Sequence, residues 1–230
     1  MTEPAALYAQ TRDRFIGLAR SLDPDQATQQ VPLTPEWRIT DVAAHLCGIN
    51  SDIITGRLDD LGSDAWTARQ VSERAGHTID QICEEWSGHA SAMDTLFIDN
   101  PYLATRLIGD LIVHLHDVEH ALGRPIDGSD EATLTAAHRH IPQLKERVLD
   151  RIGARIRVEL IDGRDAPLGA DEGAEPTLVL RASAYDFVRS VTGRRSRGQV
   201  EALNWTGDPT SVLDQAWSAY GPIRQDDVGV

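Results

Sequence analysis

Eight histidines, two cysteines and 36 acidic side chains are the residues of this 230-residue chain able to bind a metal or move a proton. The densest group is the run DLIVHLHDVEH, residues 110–120. On a helix each residue advances ~100°, so the run can be sorted by face. With Leu111 as origin, Leu107, Leu115, Val118 and Leu122 fall within about 40° and mark a buried stripe. His114 lies at about −60° and Asp110 at about −100°, together on one flank of that stripe. His116 and His120 fall on the opposite side, which predicts that they face water. Asp117, about 120° from the stripe centre, either orients a ligand from behind or faces solvent.

A second segment gives a matching pattern. Val42, Leu46, Ile49 and Ile53 form an apolar stripe, with His45 at its edge, about 60° from Val42. Two imidazoles and a carboxylate on facing helices are a familiar way to hold a divalent metal with open positions. The ligand set suits zinc and, as a two-histidine, one-carboxylate site, iron as well. The alternatives are plain: such histidines are often hydrogen-bonded core residues, and Asp110 could equally pair with an arginine such as Arg106. Cys47, about 200° around the helix from His45, reads as packing. Cys47 and Cys83 are too few for a disulfide framework or a thiolate zinc site. Arg69 and Arg74 either reach an anionic substrate or belong to a solvated helix face. GRRSR, residues 193–197, is either an anion-binding turn or, better in so acidic a chain, part of a salt-bridge network. Neither a phosphate-cradling glycine loop nor a G-x-S-x-G elbow occurs.

These side chains need elements to place them. Amphipathic helices are expected from about Pro4 to Leu22, from a Thr40 N-cap to about Arg57, from a Thr78–Gln81 capping box to about Ile98, and from Pro101 to about Gly123. A short polar helix over 64–75 and a last long helix over 130–152 complete the set, and long helices with short connections predict an antiparallel four-helix bundle. At Arg155–Ile161 the period changes to two, predicting a strand, followed by a loop or hairpin tip over 162–176 and a second strand at Thr177–Arg181. Short helices are expected over 184–192 and 210–220. The fold class is therefore α+β, with a helical domain over 1–152 and a small α/β domain over 153–230.

Charge narrows the partners. Residues 1–152 carry 24 acidic and 13 basic side chains, and residues 153–230 carry 12 and 9, for a total of −14. Such a surface repels nucleic-acid phosphates and anionic membranes. Lys145 is the sole lysine among 22 basic residues, which fits a GC-rich genome. No run reaches the ~18 apolar residues of a membrane helix, and the first residues lack the pattern of a signal peptide. A cytoplasmic protein is expected.

Three segments, TPEWRITDVAAHL (34–46), GDLIVHLHDVEHALGRP (109–125) and FVRSVTGRRSRGQV with a later TGDP (187–209), together resemble the mycothiol-dependent maleylpyruvate isomerase family. That resemblance implies a DinB-like metal-binding helix bundle followed by a small α/β domain distantly like sterol carrier proteins. It implies His45, Asp110 and His114 as the metal ligands and Arg69 as a catalytic accessory that meets the substrate. Arg74, nearby in the same segment, is expected to help bind the cofactor. Family isomerases usually carry glutamate where Asp110 stands, and the shorter arm shifts the metal or adds a water. The implied activity is that of a zinc enzyme using mycothiol or a related thiol to isomerise, or transfer sulfur to, a small electrophile. A thiol-independent metal-activated hydrolase and a non-catalytic small-molecule binder are the alternatives.

Overall fold

The structure is a computed structural model describing residues 2–162 and 176–228. The chain divides into two compact units, Met1–Pro125 and Ile126–Val230. The first contains α1 (Pro4–Arg20), α2 (Pro24–Ala27), α3 (Ile39–Thr55), α4 (Asp64–Ser72), α5 (Ile79–Gly88), α6 (Ala90–Asp99) and α7 (Pro101–Ala121). Helices α1, α3, the α5–α6 pair and α7 form the four-helix bundle, with α4 laid against α3. Its core is apolar and aromatic. Phe15 meets Trp86 edge-on at 5.5 Å, and Tyr8 meets Phe97 at 5.2 Å.

Local chemistry explains most helix ends. Thr78 and Gln81 form the expected capping box at α5. Pro101 occupies the first turn of α7, where no N–H is needed. The start of α3 differs from expectation: Asp41 reaches back to the Arg38 N–H at 2.9 Å and also pairs with the Arg38 guanidinium. Thr40, expected as the N-cap, instead donates its hydroxyl to the Ala27 carbonyl at 2.7 Å, tying α3 to α2. The helix expected from 78 to 98 is interrupted at His89, whose N–H turns back to the Trp86 carbonyl, three residues earlier.

The second unit opens with α8 (Glu131–Ile152), capped by Asp130 and ended by Gly153 at φ +67°, a conformation glycine adopts without strain. Then come β1 (Ile156–Leu160), β2 (Leu178–Ala182), α9 (Ala184–Val191), α10 (Arg197–Glu201), β3 (Asn204–Thr206) and α11 (Thr210–Gln215). Helix α8, expected to end the helical domain, packs against α9, α11 and β1, so it stands in this second unit. Arg147 strengthens that attachment by donating to the Ala216 and Trp217 carbonyls at 3.1 and 3.0 Å.

The sheet order is β1-β2-β3. Strands β1 and β2 run parallel, with Ile156 opposite Leu178, and β3 is antiparallel to β2. A parallel pair cannot be joined by a simple hairpin turn. Most of the segment read as a loop or hairpin tip, residues 163–175, lies outside the described residues. The α10–β3 step was not foreseen, although Ser196 and Gln199 form a capping box readable in sequence. An α+β architecture results, as the change of period predicts.

Candidate metal centre

Helix α3 brings His45 to the bundle interior, 4 % exposed, and α7 brings Asp110 and His114 one turn apart. One donor atom from each of the three residues lies within 4.8 Å of the others. His45 Nε2 is 3.4 Å from Asp110 Oδ2, and His114 Nε2 is 3.9 Å from Asp110 Oδ1. A tetrahedral ion with bonds of ~2.0–2.2 Å needs donor atoms roughly 3.3–3.6 Å apart, so small side-chain adjustments close the set. The donors are two imidazole nitrogens and a carboxylate, the set expected of a centre that keeps a position open for a ligand. The Asp110 side chain is 36 % exposed while both histidines are buried, which opens the centre on the aspartate side.

The rings are held from behind. His45 Nδ1 lies 2.8 Å from Gln70 Oε1, whose Nε2 donates to Asp52 Oδ2 at 2.8 Å. His114 Nδ1 approaches Asp117 Oδ2 at 3.2 Å. The Trp37 ring packs on both, 4.9 Å from His45 and 5.7 Å from His114. Trp37 is placed by a turn in which its N–H donates to Thr34 O and its carbonyl accepts from Val31 N.

The sequence-selected arginines lie elsewhere in this network. Arg69 Nη2 pairs with Asp52 at 3.0 Å and keeps about a third of its side chain exposed. Arg74, 5 % exposed, grips both carboxylate oxygens of Glu85 and donates to the Gln70 carbonyl at 3.2 Å. One expectation for α7 needs correction: His116 is fully buried rather than facing water, because α7 is enclosed around its whole circumference from Leu111 to Glu119. Asp117 takes the first of its two readings, buried behind the His114 ring. GRRSR serves ion pairs, as favoured: Arg195 meets Asp186 at 2.7 Å, and Arg197 holds Glu201 and Asp214.

Sequence reasoning missed Gln70, Asp52 and Trp37. A trace of the first existed in Gly48, in mid-helix one turn after His45. A Cβ there would sit 2.5 Å from Gln70 Cβ, so glycine is what lets α4 approach α3 closely enough for Gln70 to reach the imidazole.

A second cluster has metal-ligand types: Cys47, Glu85 and His89. Here Arg74 already supplies the positive charge. Burial raises the Glu85 carboxyl, but hydrogen bonds and charge from Arg74 outweigh it, leaving the group below the usual carboxylate range. Burial pushes the Cys47 thiol up to about 12, so it is a neutral thiol at physiological pH.

Residues 8–101 match the family model described as the mycothiol maleylpyruvate isomerase N-terminal domain. The match includes His45 and ends before Asp110 and His114. Two solved structures resemble the chain. One, a histidine-to-alanine mutant of the mycothiol-dependent maleylpyruvate isomerase, is 12% identical with a TM-score of 0.51 over 89% of this chain and 92% of that one. The other, the mycothiol-dependent maleylpyruvate isomerase, is 13% identical with a TM-score of 0.49 over 84% and 88%. No curated protein sequence matches.

Proposed function

We propose that the chain, whose residues 8–101 match the family model of the mycothiol maleylpyruvate isomerase N-terminal domain, is a zinc-dependent enzyme that uses mycothiol, or a similar small thiol, on a small electrophilic substrate. One observation carries this reading: His45, Asp110 and His114, from two helices, converge within 4.8 Å with both imidazoles buried and the carboxylate partly open. A zinc ion held there lowers the pKa of a bound thiol, making thiolate available near neutral pH. The chain's own contributions are separable. His45 and His114 present Nε2 to the centre, Asp110 offers a carboxylate on its solvent side, and Trp37 shields the imidazoles. Arg69, still partly exposed, is assigned to an anionic group of the substrate, with Asp52 as its resting partner. Arg74 is sealed against Glu85 and holds the α3–α4–α5 packing, so the accessory role in cofactor binding is not assigned to it.

Elemental analysis of protein purified without added metal tests the centre, with about one zinc per chain expected for a three-ligand site. An assay of model electrophiles with and without added thiol tests the chemistry. Turnover requiring thiol supports the proposal, and turnover without it moves the assignment to a metal-activated hydrolase. Zinc-free protein, with His114→Ala changing neither activity nor stability, would sink it.

A further inference from the structure

Gln70 and Asp52 are both fully buried, yet neither touches the three donor atoms. Their polarity determines what they do. Asp52 is flanked by two guanidiniums, Arg57 at 2.8 Å from Oδ1 and Arg69 at 3.0 Å from Oδ2, so its oxygens act as acceptors. The Gln70 group 2.8 Å from Asp52 must therefore be the NH2 end of the amide. That leaves the Gln70 carbonyl, which only accepts, facing His45 Nδ1 at 2.8 Å. The opposite amide orientation would set two acceptors against each other at the Asp52 end, inside a water-poor interior where an unmade hydrogen bond costs about 1–3 kcal/mol.

We propose that Asp52, acting through the Gln70 amide, fixes the proton of His45 on Nδ1 and so leaves Nε2 as a bare lone pair aimed at Asp110 and His114. Gln70 and Asp52 are positioning residues for the metal centre. Their value for zinc rests on the metal reading above, whereas the tautomer itself does not. The arrangement is a three-part relay, carboxylate to amide to imidazole. Metal-bound histidines are typically supported by such an acceptor on the second nitrogen, which orients the ring and raises its basicity. Without it, the neutral ring can place its proton on Nε2, where Asp110 Oδ2 at 3.4 Å would accept it and block the ligand position.

Nitrogen-15 spectra of the histidine rings read the tautomer directly. In metal-free wild type, at a pH where the imidazoles are neutral, His45 is expected in the Nδ1–H form. In Gln70→Met, which keeps volume but removes the acceptor, it is expected to move to the Nε2–H form. Zinc affinity, measured by chelator competition, should fall ~10–100-fold in the same variant, the usual loss for an outer-shell partner. If Gln70→Met does not fold, Asp52→Asn is the second probe, because its amide frees Gln70 to flip and should give a mixture of tautomers. An Nε2–H ring in wild type, or an unchanged Nδ1–H ring in folded Gln70→Met, overturns the relay. Wild type that shows the Nδ1–H ring but binds no zinc supports the relay and refutes the metal reading, so the two are separated.

Discussion

The first unit holds two clusters of metal-ligand residues, and they differ in what stands among them. At His45, Asp110 and His114 the donors face one another, and the supporting groups act from behind the rings. At Cys47, Glu85 and His89 a guanidinium lies within the cluster, binding the carboxylate that an ion would need. Residue types alone would rank the second set at least as highly, since a thiolate is a strong zinc ligand. On the proposed reading, a metal centre is set apart from a look-alike as much by the absence of a built-in cation as by its donors. Cys47 and His45 are only two residues apart on α3, yet one faces Arg74 and the other faces Asp110.

The sharpest way to break the comparison is to delete a donor from the first cluster. His114→Ala should abolish stoichiometric zinc, a larger loss than the ~100-fold ceiling for an outer-shell residue, as measured by metal analysis and chelator competition. Next is Arg74→Met, which removes the competing charge from the second cluster. It should lower stability by about 2 kcal/mol in urea unfolding, through loss of charged hydrogen bonds to a part-buried Glu85. The same variant should also admit a second divalent ion. If it binds no second ion, the guanidinium is not what distinguishes the two clusters.

Gly48→Ala probes the relay without removing a polar group, although the new methyl would also lie 3.1 Å from Arg74 Nη1. The added methyl would press on Gln70 at 2.5 Å, and overpacking of this kind costs about 1–3 kcal/mol. Zinc affinity should fall about tenfold as Gln70 is displaced. The smallest effect concerns acid. Glu85 is held below its usual range when folded, so the unfolded chain takes up its proton first as pH falls. The stabilisation is complete above the ordinary carboxylate pKa and is lost as pH drops through the lowered folded value. The stability gap between wild type and Arg74→Met should therefore shrink on acidification, which urea titrations at a series of pH values would detect.

The placement of His45, Asp110 and His114 was legible in sequence because helical phase is a local property: spacing along α3 and α7 suffices to set all three beside apolar stripes. The relay was not, since Gln70 and Asp52 meet His45 only through the packing of α4 on α3, and Gly48 is its single linear trace. His116 was misread for the converse reason. Phase analysis assumes one wet face, and α7 has none between Leu111 and Glu119. In the same way, the 3.6-residue period of α8 shows that it is a helix but not which unit receives its apolar side. Strand β1 was recognised from alternation, while its parallel partnership with β2 depends on a connection that no local pattern describes.

Trp37 carries one more consequence. Its indole lies against both imidazoles, 4.9 Å from His45 and 5.7 Å from His114. A protonated imidazole beside an indole quenches its emission, and a change in imidazole charge or tilt alters that quenching. On the proposed metal reading, Trp37 is a fluorophore built in at the centre, so adding zinc to the native chain should change its emission, with no label attached.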